Sequence, residues 1–243
     1  MSIAENIARV QERLQSAATR AGRNADSIAL MAVSKTFPPE SIHEAYAAGM
    51  RLFGENRVQE FAGKARALRD LSDARFHLIG HLQSNKSAKA AELFHAVDSV
   101  DSFRLAERLN EAAGKFSKRL DVLLEVNVGG EEAKSGMAPD SGELEAILEA
   151  VTRLPNLAVR GLMTVPPWSE DPEHARPFFR QLRHLRDGIA IRNIPGVQMW
   201  ELSMGMSHDF EVAIEEGSTC VRVGTAIFGE RTKPEFDPDS SAA

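Results

Sequence analysis

The sequence predicts an α/β fold: a single (β/α)8 TIM barrel with an extra N-terminal helix. Three observations point to it. About eight short apolar runs lie between Ile28 and Val223, most of them followed by a helical pattern. The first, Ile28-Ala29-Leu30-Met31-Ala32-Val33, is apolar throughout, as expected for a strand covered on both faces. No proline-rich or low-complexity linker interrupts the alternation, so residues 1–231 read as one domain.

Taken in order, Ser2 and Glu5 form a capping-box pattern ahead of Ile3, Ile7, Val10 and Leu14 at helical spacing. This first helix ends near Gly22 and is expected to pack outside the sheet or to plug one end. The first strand runs into Ser34 and Lys35, and Thr36-Phe37-Pro38-Pro39 breaks it. A helix follows from Pro38 to Ala48, then a short strand at Arg51–Gly54 and a helix from Glu55-Asn56 to about Leu71. Arg75–Ile79 reads as a strand, with a loop at 80–85 and a helix to about Leu93. Phe94–Val97 is a strand, and Asp98-Ser99-Val100-Asp101 is expected to cap a helix running to Ala113. Leu120–Val128 is the clearest strand, followed by a loop to Met137 and a helix from Gly142 to Leu154. Val159–Thr164 and Val197–Leu202 are strands, separated by a helix from about Pro172 to Asp187. A helix from Ser207 to Glu216, Gly217 and a last strand at Thr219–Val223 complete the barrel. Thr232–Ala243, with three acids, two prolines and two serines, is expected to be a disordered tail.

Composition narrows the function. The chain of 243 residues is 43% hydrophobic, carries a formal net charge of −6 and has no basic cluster, which argues against nucleic-acid binding. No run approaches the roughly 18 apolar residues of a membrane span, and the N-terminus lacks the pattern of a signal peptide. The single cysteine, Cys220, cannot form an intrachain disulfide and lies in an apolar run. A cytoplasmic protein is expected.

In a barrel of this kind the chemistry gathers just after the strands, at one mouth. Lys35 therefore draws attention first. It is either a lysine reaching solvent or an amine partly desolvated at the mouth and able to form a Schiff base. Asn56, His81, Asn127, Met163 and Thr164 occupy comparable positions. Ser203-Met204-Gly205-Met206-Ser207 and Gly224-Thr225 follow the last two strands, where phosphate is usually held in this fold. The plainer alternative is that Ser207 caps a helix and Gly224 turns the chain. Strand alternation places Arg222 on the face of Cys220, opposite Val221 and Val223, so it faces a lumenal ligand or a salt bridge at the barrel floor. Gly224 continues that face and leaves room beside the guanidinium.

Other chemistries find no support. His77 and His81 on an extended strand lie roughly 13 Å apart, too far to share a metal. There is no zinc-protease motif, Walker lysine or dinucleotide-binding glycine pattern, and no metal site is expected. Glu131-Glu132-Ala133-Lys134 reads as a solvated loop.

The wording of several segments adds to this. Ala32-Val33-Ser34-Lys35-Thr36, Phe53-Gly54-Glu55-Asn56, His77-Leu78-Ile79-Gly80, Leu82-Gln83-Ser84-Asn85-Lys86, Gly161-Leu162-Met163, the run Ser203–Asp209 and the run Val221–Gly229 occur in this order. Together they resemble the YggS/PROSC family of pyridoxal phosphate (PLP) homeostasis proteins, which is related to the N-terminal domain of alanine racemase. The likeness spans about Ile28 to Arg231, with one departure at Arg57, where the family pattern has an aromatic. The resemblance implies PLP bound as a Schiff base on Lys35. It further implies a phosphate held by Ser203, Ser207, Gly224 and Thr225, with Arg222 at the pyridine nitrogen and Asn56 and Met163 beside the cofactor. Lys134 matches a lysine able to hold PLP a second time. The function implied is a monomeric PLP carrier with no catalytic residues, with PLP-dependent apo-enzymes as candidate recipients. The alternative is an amino-acid racemase, which needs a second acid/base opposite the lysine. The only tyrosine, Tyr46, is expected on the first outer helix.

Overall fold

The structure is a computed structural model that describes residues 1–131 and 134–230. The expected tail, Thr232–Ala243, lies outside the described residues. Eight parallel strands close into a barrel in chain order: β1 (Ala29–Val33), β2 (Leu52–Glu55), β3 (Arg75–Leu78), β4 (Ala96–Val100), β5 (Leu120–Glu125), β6 (Leu157–Met163), β7 (Val197–Met206) and β8 (Cys220–Val223). Ala29 pairs with Cys220 and Met31 with Arg222 where the barrel closes. The helices are α1 (Ile3–Arg20), α2 (Pro39–Ala47), α3 (Val58–Lys64), α4 (Ser87–Leu93), α5 (Phe103–Lys115), α6 (Gly142–Ala150), α7 (Arg176–Ala190), α8 (Phe210–Glu215) and α9 (Thr225–Phe228). The predicted barrel with its N-terminal helix is therefore the observed fold.

Two kinds of interior follow from strand alternation. Leu30, Ala32, Phe53, Phe76, Leu78, Val122, Val221 and Val223 face the helices and join the main apolar cluster, fully or partly buried. Phe61 packs there at a tilt against both Phe76 and Phe94, with centroids 4.7 and 4.8 Å apart. Met31, His77, Asp98, Leu123, Cys220 and Arg222 are buried yet outside that cluster, filling the lumen between the strands.

The N-terminal helix packs on the outside. The Ser2–Glu5 capping box forms as expected, with bonds of 3.2 and 2.8 Å. Arg13 pairs with Glu211 at 2.8 Å and lies over the Phe210 ring, and the Asn6 amide donates to the Ile227 carbonyl at 2.8 Å. α1 thus straps α8 and α9 across the seam where β8 meets β1.

Several boundaries differ from expectation, each for a tertiary reason. Asp98 and Ser99 belong to β4 rather than to a helix cap, because Asp98 pairs with His77 in the lumen and Ser99 Oγ donates to the Gly80 carbonyl at 2.7 Å. Ser102 caps α5 instead. The helix after β2 stops at Lys64, whose side chain turns inward to a buried carboxylate. β7 continues through Ser203 to Met206, and α8 starts only at Phe210, so Ser207 is not its cap. Gly205 makes this turn possible: its φ is +91°, and a Cβ there would sit 2.5 Å from Ala213 Cβ. The short α9 has no apolar periodicity long enough to be read from sequence.

Candidate functional site

Lys35 follows β1 by one intervening residue, and its neighbours are fixed in place. Ser34 is fully buried. Its Oγ donates to Glu55 Oε1 at 2.7 Å, and its carbonyl accepts from Lys64 Nζ at 3.2 Å. Lys64 also bridges Glu55 at 3.0 Å and Glu60 at 2.8 Å. Burial pushes the Glu55 carboxyl above its ordinary pKa, and the Lys64 charge opposes that shift. On the other side, Thr36 has φ +69° and its N–H donates to Glu60 Oε1 at 2.6 Å. A β-branched residue in that conformation is strained, so the carboxylate of α3 holds a turn the chain would not adopt alone.

Lys35 lines a cavity of about 470 Å³ at the carboxyl ends of the strands, within the range of roughly 300–1,000 Å³ typical of small-molecule sites. Asn56, Ser207, Arg222, Gly224 and Thr225 line the same cavity. Six of the eight sequence-predicted site residues are thus brought together. The other two, Ser203 and Met163, are fully buried and are not on the lining. Ser203 instead lies beneath it, its Oγ accepting from Arg222 Nη1 at 2.7 Å. Arg222 Nη2 donates to the Thr164 carbonyl at 2.7 Å, which fixes the plane of the guanidinium. Burial lowers its pKa, and Cys220, Asp98, Glu125 and Asp209 oppose that shift.

Ser207 Oγ accepts from the N–H groups of Gly224 and Ala226 at 3.2 and 3.4 Å. Two backbone donors thus meet at the Ser207 hydroxyl, and Ser207, Gly224 and Thr225 all line the cavity, residue types suited to an anion. Phe37 stacks on Phe228 at 4.9 Å and secures α9 against the loop after β1. Gly80, also on the lining, lets two loops meet, since a Cβ there would lie 2.4 Å from the Asn56 carbonyl oxygen.

Lys134 is better placed than a solvated loop would suggest. It lines the cavity, pairs with Glu131 and donates to the Pro166 carbonyl at 3.0 Å. Glu132 and Ala133 lie outside the described residues. The two histidines serve different partners, His77 pairing with Asp98 at 3.2 Å and His81 with Asp101 at 3.1 Å. Among the described residues no group of three or more His, Cys, Asp or Glu could hold a metal. Burial pushes the Cys220 thiol well above its usual range, consistent with an inert core residue. Among the described residues no helix is long and apolar enough to cross a membrane.

Sequence reasoning missed Glu125 as a lining residue. It ends β5, is 7% exposed, and its Oε2 has no hydrogen-bond partner among the described residues. The signal was present: alternation along β5 puts Asp121, Leu123 and Glu125 on one face, as it does for Cys220 and Arg222 along β8. Trp168 at the rim, in the loop after β6, had no comparable signal.

Comparison with known proteins agrees with this architecture. The family profile described as "Alanine racemase, N-terminal domain" matches residues 3–232. A pyridoxal phosphate homeostasis protein of Aquifex aeolicus is 49% identical over 231 residues, covering 95% of this chain and 99% of that protein. The PipY protein of Synechococcus elongatus, solved with PLP bound, is 39% identical with a TM-score of 0.82, over 94% of this chain and 100% of that one. An alanine racemase from Corynebacterium glutamicum shares the fold alone, at 19% identity and a TM-score of 0.68, over 94% of this chain and 61% of that one. The resemblance read from the motifs is upheld across nearly the whole barrel, and the chain belongs to the family of pyridoxal phosphate homeostasis proteins, within the alanine racemase N-terminal domain family.

Proposed function

We infer that this protein binds PLP at the barrel mouth and acts as an intracellular carrier, buffering the cofactor and supplying it to PLP-dependent apo-enzymes. The observation that carries the reading is the convergence in one cavity of the Lys35 amine, the buried Arg222 guanidinium and the donors around Ser207. An aldehyde, a pyridine nitrogen and a phosphate are the three groups these residue types suit. Lys35 is the attachment point for the aldehyde. Ser207, Gly224 and Thr225 hold the phosphate, and Asn56 borders the ring. Ser203 and Met163 act from beneath, Ser203 by fixing Arg222.

PLP attached to a lysine supplies an electron sink for reactions of amino acids. Arg222 is the residue that moderates it here. Its guanidinium would donate a hydrogen bond to a bound pyridine nitrogen without giving up its proton, and so would keep that sink weak. This suits storage and release better than turnover. The named relatives are homeostasis proteins, which agrees with a role outside catalysis. We further assign the protein to the cytoplasm, as a monomer.

The racemase reading rests on the shared fold. It needs an acid/base facing the lysine across the cofactor. Tyr46 does not supply one, since it lies on α2 with its hydroxyl on Asp73. Borohydride reduction of the PLP-loaded protein followed by peptide mapping tests the site. The pyridoxyl group is expected on Lys35, and a label chiefly on Lys134 or Lys86 would sink the assignment.

A further inference from the structure

Glu125 is the one cavity-lining carboxyl among the described residues, and nothing in the carrier reading uses it. In the closed strand order β5 is four strands from β1 in either direction, so Glu125 stands across the barrel mouth from Lys35. Its side chain is buried, at 7% exposure. Oε2 is buried and receives no donor from any described residue. The charged groups around it are few. Arg222 of β8 favours the ionised form and Asp101, after β4, opposes it. Asp101 is itself engaged by His81, and Lys35 and Lys134 line the same cavity.

An ionised carboxylate in this position would leave a charged oxygen sealed from water with no donor, a costly arrangement. Burial, reinforced by Asp101, pushes the Glu125 carboxyl up to about 7. The acid form has what the ionised form lacks, an O–H that can be donated into the cavity.

We propose that Glu125 is a ligand-contacting hydrogen-bond donor of this cavity: in its acid form it donates to an acceptor on the bound pyridine ligand, and ionisation breaks that contact and loosens the ligand. This deepens the carrier reading and rests on it. The consequence is a carrier that holds its cargo more tightly in mildly acidic than in mildly alkaline solution. No bond is made or broken beyond the proton shared between the carboxyl and the ligand.

The test uses pyridoxine 5′-phosphate, which has an alcohol where PLP has its aldehyde and so cannot attach to lysine. Its affinity is measured from pH 5.5 to 8.5 for the wild type, Glu125→Gln and Asp101→Asn. The ligand's own ionisations affect all three proteins alike, so the difference between profiles reports on Glu125. The wild type should lose affinity across roughly pH 7, by about ten- to a hundredfold if the bond is to a charged acceptor. Glu125→Gln keeps a donor that does not ionise, and should bind as the wild type does at low pH without the step. Asp101→Asn removes the charge that opposes ionisation, and should move the step to lower pH.

Melting of the ligand-free proteins gives a second readout. Glu125 keeps its proton in the folded state to a higher pH than in the unfolded state. Its contribution to stability is therefore full below the unfolded pKa and is lost as pH rises through about 7. The wild type should lose stability relative to Glu125→Gln across that window. Identical binding profiles in the wild type and Glu125→Gln, or identical melting profiles, would overturn the proposal while leaving the carrier reading intact. Failure of the wild type to bind either PLP or pyridoxine 5′-phosphate at any pH would overturn both.

Discussion

Ser207 shows how much one hydroxyl can organise. It directly follows the long strand β7 and accepts from two amides of the β8–α9 turn, so the residues after the last two strands meet at one oxygen. Replacing it with alanine removes both a side-chain donor for phosphate and the acceptor that orders those amides. Losing a hydrogen bond to a charged group costs about 1.5–3 kcal/mol, or roughly ten- to a hundredfold in affinity. Ser207→Ala should therefore weaken binding of PLP far more than binding of pyridoxal, which has no phosphate. Equilibrium titration with both ligands checks this, and equal losses would place the phosphate elsewhere. Arg222 shows the opposite economy: both of its fixed bonds, to Ser203 and to the Thr164 carbonyl, lie in the barrel wall. Its orientation is thus set before any ligand arrives.

At the scale of elements, α3 is the part that shapes the lysine turn. Its Glu60 holds the strained Thr36 backbone, and its Lys64 reaches over to Glu55 on β2 and to the Ser34 carbonyl after β1. The pair is almost wholly inside the protein, with side-chain exposures of 10% for Lys64 and 0% for Glu55. Breaking a buried pair from one side leaves an uncompensated charge and costs about 3–5 kcal/mol, whereas an apolar replacement of both partners is often tolerated. Lys64→Met should therefore lower stability by about that amount in urea unfolding. The double substitution Glu55→Leu with Lys64→Met should recover most of the loss. A double variant no more stable than Lys64→Met would mean that the Ser34 and Glu60 contacts, rather than the pair, carry the cost. α1 works at the same scale from outside, strapping α8 and α9 and so steadying the turn that presents Thr225.

At the scale of the molecule, the barrel places a lysine on one side of its mouth and an arginine two residues beyond the start of its last strand, with no tyrosine between them. With Lys35 as the base, a proton removed from an amino acid would return mostly from the same side, and configuration would be retained. Incubation of the PLP-loaded protein with L-alanine in deuterated water should give slow α-deuterium uptake and no D-alanine. D-alanine formed at rates typical of enzymes, about 1–10³ per second, would refute the carrier reading. Glu125, across the mouth from Lys35, would then be the first acid to substitute, ahead of His81 and His208 at the rim.

The barrel was legible in the sequence because the first strand is apolar throughout, as a strand covered on both faces tends to be, and the chain goes on to alternate short, mostly apolar runs with helical patterns. The mouth was legible too, since Lys35, Asn56, Ser207, Gly224 and Thr225 each follow a strand and a parallel barrel collects such positions at one end. Arg222 was found by simple alternation along a four-residue strand. What escaped was whatever depends on partners distant in the chain. Asp98 reads as a helix cap until His77, on the neighbouring strand, makes it a lumenal residue. Ser203 is expected beside the phosphate from its place after a strand, and nothing local shows that the continuation of β7 past Leu202, with its irregular register, will bring its hydroxyl to Arg222. Lys64 carries no signal of its own, because nothing local to α3 shows that it will meet Glu55. Glu125 stood in view at the end of the clearest strand, yet its isolation is a property of the surrounding wall. Periodicity fixes which face a side chain takes, and only the closed barrel decides what that face meets.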